Sequence, residues 1–256
     1  MQQVGLPNSS LSVSRLGLGL GRLHRINSAR GRLELVQVAI DLGITHFDTA
    51  RLYGDGLAER VLGSALVGRR DTVTITTKFG LYGHDYVGRL GTLGVPIRAA
   101  RLGAAKLGRS RWPVKDYSVS RLRASIDQSR RLLRTDHVDC LAVHEPANST
   151  ESELTHLIAA LHELRDRGAI RGAGVAGNGA QELAARWPTA FDVVQAPERE
   201  WSEDQVPVPD FTYGALSRSD VAGSLRTALE RRPWGSVLVS TRSVDHLRAL
   251  AEVAEH

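Results

Sequence analysis

Cysteine is almost missing from this sequence: Cys140 stands alone among 256 residues, which excludes an internal disulfide framework. It falls inside an apolar run and reads as a small core residue of a reducing compartment. No apolar run reaches the length of a membrane span, and the opening MQQVGLPNSS lacks a charged segment followed by a long apolar core. A soluble, cytoplasmic protein is expected. Aromatic residues make up only 5% of the chain while Ala, Leu, Val and Gly abound, as suits strands packed between helices. Arginine and aromatics mingle between 81 and 117, yet no nucleic-acid motif accompanies them, so neither nucleic acid nor membrane is an expected partner.

What the chain has is length and apolar content. About 250 residues is the usual size of an eight-fold α/β barrel, and 42% hydrophobic residues suffice for a full core. The formal charge of +5 suggests an arginine-rich surface, either drawing in phosphorylated or carboxylated ligands or merely solvated.

Strand and helix patterns alternate along the chain. A small hairpin over 4–11, broken at Pro7-Asn8-Ser9, precedes strand one at 14–20 and is placed to plug a barrel floor. Apolar spacing predicts a helix over 33–42 that stops at Gly43, strand two at 45–48, a helix over 57–67 and strand three at 73–78. Ser118 caps a helix over 119–133, and strand four follows at 138–143. The capping box Thr150-Glu-Ser-Glu153 opens a helix to about 167. Strand five (170–176), a short helix (181–187) and strand six (191–195) come next, while 197–209 holds too many prolines for a full sixth helix. Strand seven (211–216), a helix (220–231), strand eight (236–240) and a last helix (244–255) complete the order. The expected fold is a single (β/α)8 TIM barrel domain over 1–256, with an N-terminal β-hairpin and a long loop after strand three. A doubly wound sheet is the fallback if a short strand fails.

Three strand ends carry chemistry. THFDTARLYGDG delivers Asp48 and Tyr53 after strand two, Lys78 ends strand three and His144 ends strand four. In a parallel barrel all strand C-termini open on one face, so these four would converge there. An ammonium beside a phenol favours phenolate and lowers its pKa from about 10, while a carboxylate holds the ammonium in place. With a histidine orienting a carbonyl, the set would protonate a carbonyl oxygen while a hydride reaches carbon. No side chain donates hydride, so a nicotinamide cofactor is implied. Each residue alone has a structural reading, as a cap, a packed ring, a solvated lysine or a core histidine; the four together favour the functional one. Gly17, Gly19 and Gly21 do not form GxGxxG, and read as letting a strand end approach a ligand or neighbouring strand.

These residues resemble the aldo-keto reductases, at Asp48-Thr-Ala-Arg-Leu-Tyr53-Gly, Thr76-Thr-Lys78 and Val138-Asp-Cys-Leu-Ala-Val-His144, and also at LSVSRLGLG and GDGLAERVLGSAL. The resemblance implies a barrel binding NADPH, with NADH as the alternative, across its C-terminal face, and Tyr53 as proton donor tuned by Lys78 and Asp48 with His144 orienting the carbonyl. It places cofactor contacts at Gly19, Asn178, Gln195, Tyr213, Ser240, Thr241, Arg242 and His246. Gln195 would hold the nicotinamide carboxamide, Tyr213 would support the ring and Arg242 would clamp a 2′-phosphate unless it is simply an exposed loop arginine. No metal is expected. The spacing of Gly54, Gly56 and Glu59, and the loop ending in Asp116-Tyr117-Ser118, are similar to the sugar-dehydrogenase branch, which makes an aldehyde, aldose or lactol the first substrate class.

The chain departs from the family in three places. Ala176-Gly177-Asn178 stands where Ser-Asn is usual, the loop at 217–219 is short, and the chain stops with its last helix. The segment over 81–117, with Tyr82, Tyr86, Trp112, Tyr117 and seven basic residues (Arg89, Arg98, Arg101, Lys106, Arg109, Arg111 and Lys115), is expected to form a lid over the mouth. Trp112, Trp201 and Trp234 are read as pocket-lining or barrel-packing residues. Two rival readings stay open: a divalent-metal isomerase or hydrolase using Asp48, His144 and Glu145, and a non-catalytic NADP(H)-binding sensor.

Overall fold

The computed structural model describes residues 1–83, 100, 103, 113–146 and 151–255. It opens with the antiparallel strands β1 (Gln3–Gly5) and β2 (Ser12–Ser14), the expected hairpin. Strand β3 (Leu16–Gly19) leads through a 3-10 turn at Leu20–Arg25 into helix α1 (Ala29–Asp41). Then come β4 (His46–Asp48), α2 (Leu57–Ala65), β5 (Thr74–Phe79), β6 (Leu81–Tyr82), β7 (Val114–Lys115), α3 (Val119–Leu133), β8 (Val138–His144) and α4 (Glu151–Asp166). The chain continues with β9 (Ile170–Ala176), α5 (Ala180–Arg186), β10 (Val193–Pro197), β11 (Phe211–Tyr213), α6 (Val221–Glu230), β12 (Ser236–Val239) and α7 (Val244–Glu255).

Strands β3, β4, β5, β8, β9, β10, β11 and β12 close into a parallel ring in which β12 pairs with β3 and β9 with β10. This is the (β/α)8 barrel, and the open-sheet alternative is excluded. Because helices cover the outside and side chains fill the inside, β5 is buried at every position, as parallel strands generally are.

Two apolar clusters follow from that geometry. Phe47, Ile75, Leu141 and Val175 pack outward against helix residues such as Leu35, Leu62, Leu122 and Leu157. Cys140, Val193, Phe211 and Leu238 pack instead with Leu6, Leu11 and Val13, so the hairpin seals the barrel floor. Each fully buried leucine contributes about 1.5–3 kcal/mol. His46 stacks on Phe211 of this layer with ring centroids 4.1 Å apart, and its Nδ1 meets Thr74 Oγ1 at 3.0 Å.

Several boundaries differ from the sequence expectation. Helix α1 starts at Ala29, ahead of 33, because Ser28 Oγ accepts from Gly31 N at 2.8 Å; this first turn carries no apolar periodicity to reveal it. Strand seven ends at Tyr213, short of 216, where Gly214 turns to positive φ. Strand six shifts to Val193–Pro197, and the chain beyond it runs in turns pinned by the Gln181 amide, which donates to Ser202 O, Gln205 O and Pro207 O. The segment after strand three begins and ends in an antiparallel ribbon of β6 and β7; Tyr86, Trp112, Arg89, Arg98, Arg101, Lys106, Arg109 and Arg111 lie outside the described residues, as does the capping Thr150. Among the described residues no helix is long and apolar enough to cross a membrane.

Candidate active site

The site is built where β4, β5 and β8 end. In the pairing of β4 with β5, Asp48 lies opposite Thr76, and Lys78 follows two residues on, on the same face of its strand. The Lys78 ammonium donates to Asp48 Oδ1, to Thr49 O at 3.0 Å and to Tyr53 Oη at 3.4 Å. The loop after β4 folds back through Tyr53 N donating to Ala50 O at 2.9 Å, which sets the tyrosine above the lysine. Asp48 and Lys78 are 4% and 2% exposed, so this ion pair is withdrawn from water.

His144 enters from β8, whose Ala142 pairs with Lys78. Its ring meets the Tyr53 ring edge-on, with centroids 6.2 Å apart and planes at 85°. Tyr117 fixes the backbone here by donating from its hydroxyl to His144 O at 2.8 Å and Glu145 O at 2.6 Å. The Tyr117 ring lies so close to Gly80 that a Cβ there would sit 2.2 Å from it, and Gly80 itself has φ +104°, so only glycine fits. Tyr117, noted in the sequence only as the end of an irregular loop, is thus an anchor of the site.

Burial sets the electrostatics. It would lower the Lys78 pKa, but Asp48 and Tyr53 reverse that and raise it, keeping the ammonium charged. Burial raises the Asp48 carboxyl, with Lys78 opposing. The Tyr53 hydroxyl is also raised by burial, which Lys78 only partly offsets. This corrects the sequence expectation of a lowered phenol pKa: desolvation exceeds the ammonium's pull, and the phenol keeps its proton at neutral pH. Burial, aided by Lys78, lowers His144 to about 3, so its imidazole is neutral.

Asp48, Tyr53, Lys78 and His144 line one cavity of about 220 Å³, together with Gly19, Gln195, Tyr213, Ser240 and Glu145. Tyr213, Leu238 and Ser240 also line a second cavity of about 440 Å³, which Arg22, Arg218 and His246 border. The two spaces therefore adjoin. Of the sequence-predicted residues, Asn178, Thr241 and Arg242 line neither; Thr241 is buried and its hydroxyl meets His246 Nδ1 at 3.1 Å, whereas Arg242 is exposed. Arg22 and Arg218 have no strand-end motif to single them out, and only the fold brings them together. Trp201 is buried against the guanidiniums of Arg231 and Arg232, at 4.4 and 4.7 Å, and Trp234 is half exposed; neither lines the central cavity. Among the described residues no group of His, Cys, Asp or Glu converges as a metal site, and Asp48, part of the proposed metal trio, is committed to Lys78 instead.

Fold and site together define a class: a (β/α)8 barrel with a phenol, an ammonium, a carboxylate and a neutral imidazole gathered at the C-terminal mouth. The chain belongs to the aldo/keto reductase family, whose model matches residues 15–201. It is 26% identical over 242 residues to the aldo-keto reductase YhdN of Bacillus subtilis, covering 88% of this chain and 65% of that one. It is 30% identical over 180 residues to L-galactose dehydrogenase of Arabidopsis thaliana, covering 67% and 47% respectively. The chain thus spans about half to two thirds of the length of these curated relatives. A Pseudomonas aeruginosa protein assigned to the aldo-keto reductases shares the fold with a TM-score of 0.76 at 24% identity, over 98% of this chain and 93% of that one. Tyr213, Ser240 and His246 lie beyond the matched range, so their placement rests on the geometry above.

Proposed function

We propose that this chain is an NAD(P)H-dependent oxidoreductase acting on a carbonyl or alcohol, with an aldehyde, aldose or lactol as substrate. The observation that supports it best is the contact of Lys78 with both Asp48 and Tyr53 at a mouth shared with His144. A bound nicotinamide cofactor would supply the hydride. Tyr53, protonated at neutral pH and held 3.4 Å from the ammonium, gives its proton to the substrate oxygen. Charge left on the phenol is stabilised by Lys78, whose own charge Asp48 secures, in a setting that excludes water. Neutral His144 orients the same oxygen without competing as an acid. In the oxidative direction Tyr53 takes the proton back.

The cavities fit a dinucleotide. Gln195 Oε1 is buried without a partner among the described residues, as a polar wall awaiting a ligand would be. Tyr213 and Ser240 join the catalytic mouth to the second cavity, where Arg22 and Arg218 have no ion-pair partner among the described residues. That basic end favours NADPH over NADH. The sugar dehydrogenase among the relatives favours a polyhydroxy aldehyde over an apolar one. The lone reduced Cys140, wholly buried, suits a cytoplasmic setting.

Calorimetric titration with NADPH and NADH, followed by turnover assays on a panel of aldehydes and aldoses, tests this reading. NADPH binding with turnover of at least one sugar is expected. Dinucleotide binding without turnover of any carbonyl would refute the catalytic assignment.

A further inference from the structure

The cavity beside Tyr53 is lined by hydrogen donors, Lys78 and Tyr53, and by side chains that carry acceptors, Gln195 and Glu145. Gln195 lies on β10 next to Gly177, whose N donates to Gln195 O at 3.0 Å. Gln195 Oε1 is buried with no partner among the described residues.

Glu145 is held in an unusual way. It follows His144 with φ +52°, a left-handed backbone that few glutamates adopt. Its carboxylate presses on Gly177, where a Cβ would come within 2.5 Å of Cδ, and Gly177 has φ +121°. One oxygen accepts from Asn178 N at 3.1 Å; the other has no hydrogen-bond partner among the described residues. The exchange of a side chain for glycine at the end of β9 therefore makes room for a carboxylate from the neighbouring strand end.

Gln195 is the residue that the resemblance assigns to the nicotinamide carboxamide; we infer that Glu145 is a second acceptor for the same group and the residue that sets specificity for an amide. This rests on the nicotinamide-dependent reading above. Two acceptors on one wall call for one group with two hydrogens, and a primary amide nitrogen has both. A carboxylate in the same place has none and meets the charge of Glu145, so the wall discriminates by rejection as well as attraction. Tyr213 assigns the amide to the cofactor rather than to the substrate: a ring resting on it lies between this wall and the second cavity, which the rest of a dinucleotide would fill.

The test is binding, measured by calorimetry, of NADP and of its analogue in which a carboxylate replaces the carboxamide, to the intact chain and to Glu145→Gln. The unaltered protein is expected to prefer the amide by about a hundredfold or more. A glutamine can donate to a carboxylate, so in Glu145→Gln that ratio is expected to shrink by at least about tenfold. Glu145→Asp, which keeps the charge, is expected to retain discrimination better than the glutamine variant. Continued NADP binding shows each variant to be folded. An unchanged ratio while both proteins bind NADP would overturn the role of Glu145 and leave the nicotinamide reading intact. So would a Glu145→Gln variant in which only the KM for the carbonyl substrate changes. Failure of the unaltered protein to bind NADP at all would instead remove the reading on which this inference stands.

Discussion

Arg51 and Glu59 form an ion pair of 3.0 Å in which the glutamate is wholly buried. The second carboxylate oxygen accepts from Thr77 Oγ1 and Ser129 Oγ, each at 2.7 Å. One side chain thereby ties the loop that carries Tyr53 to the residue beside Lys78 and to helix α3. Glu59→Gln removes the charge that faces Arg51 and is expected to destabilise the chain by about 3–5 kcal/mol. Urea unfolding measures this, and a loss below about 0.5 kcal/mol would show the hub to be incidental.

Lys78→Met leaves Asp48 buried without its ammonium. The carboxyl is then expected to hold its proton to a higher pH, and turnover to fall by about 10²–10⁴-fold, the usual scale of an acid–base contribution. Stopped assays across the alkaline range, with NADPH affinity measured in parallel, separate lost chemistry from lost binding. A variant with turnover within twofold of the original would contradict the role given to Lys78.

Acid stability is expected to depend on His46 and His144. Burial, with a smaller push from Lys78, lowers both to about 3, well below the unfolded value near 6.5. The unfolded chain therefore binds protons that the folded chain refuses. Their contribution is complete above pH ~6.5 and is lost as pH falls toward about 3, at up to about 1.4 kcal/mol per pH unit for each histidine. Thermal melts at pH 7 and pH 5 should show the drop, and His46→Phe, an aromatic replacement able to stack on Phe211, should lessen it. Equal acid sensitivity in that variant would mean that His46 is not a buried neutral imidazole.

Arg22 and Arg218 border the second cavity from opposite ends of the sequence. Replacing both with alanine is expected to weaken NADPH binding by about tenfold or more and to flatten its dependence on salt, since phosphate contacts are strongly screened. NADH binding should change less. Equal losses for the two cofactors would point to the shared diphosphate and away from a 2′-phosphate.

Much of this was legible before the fold was known. The alternation of strand and helix located every barrel strand, because parallel buried strands stand out as short apolar runs between amphipathic helices. Asp48, Tyr53, Lys78 and His144 were legible because topology alone carries strand C-termini to one face. The start of α1 was not, since Ser28 acts through a hydrogen bond that hydrophobic periodicity does not register. The direction of the Tyr53 shift was not either, because it depends on how completely the loop buries the phenol. The wall formed by Glu145 and Gly177 joins two strand ends about thirty residues apart, and single-sequence spacing holds no trace of that contact. Arg242, a basic residue before a helix that the sequence reads as an anion clamp, is exposed and lines neither cavity.

The most direct measurement compares Tyr53→Phe with the unaltered chain for NADPH affinity and for turnover of an aldehyde that the unaltered chain reduces. The variant loses one hydroxyl and keeps the ring beside His144, so affinity should stay within about twofold while turnover falls by at least about a thousandfold. Undiminished turnover would show that the proton comes from elsewhere and that the half-buried phenol is not the acid.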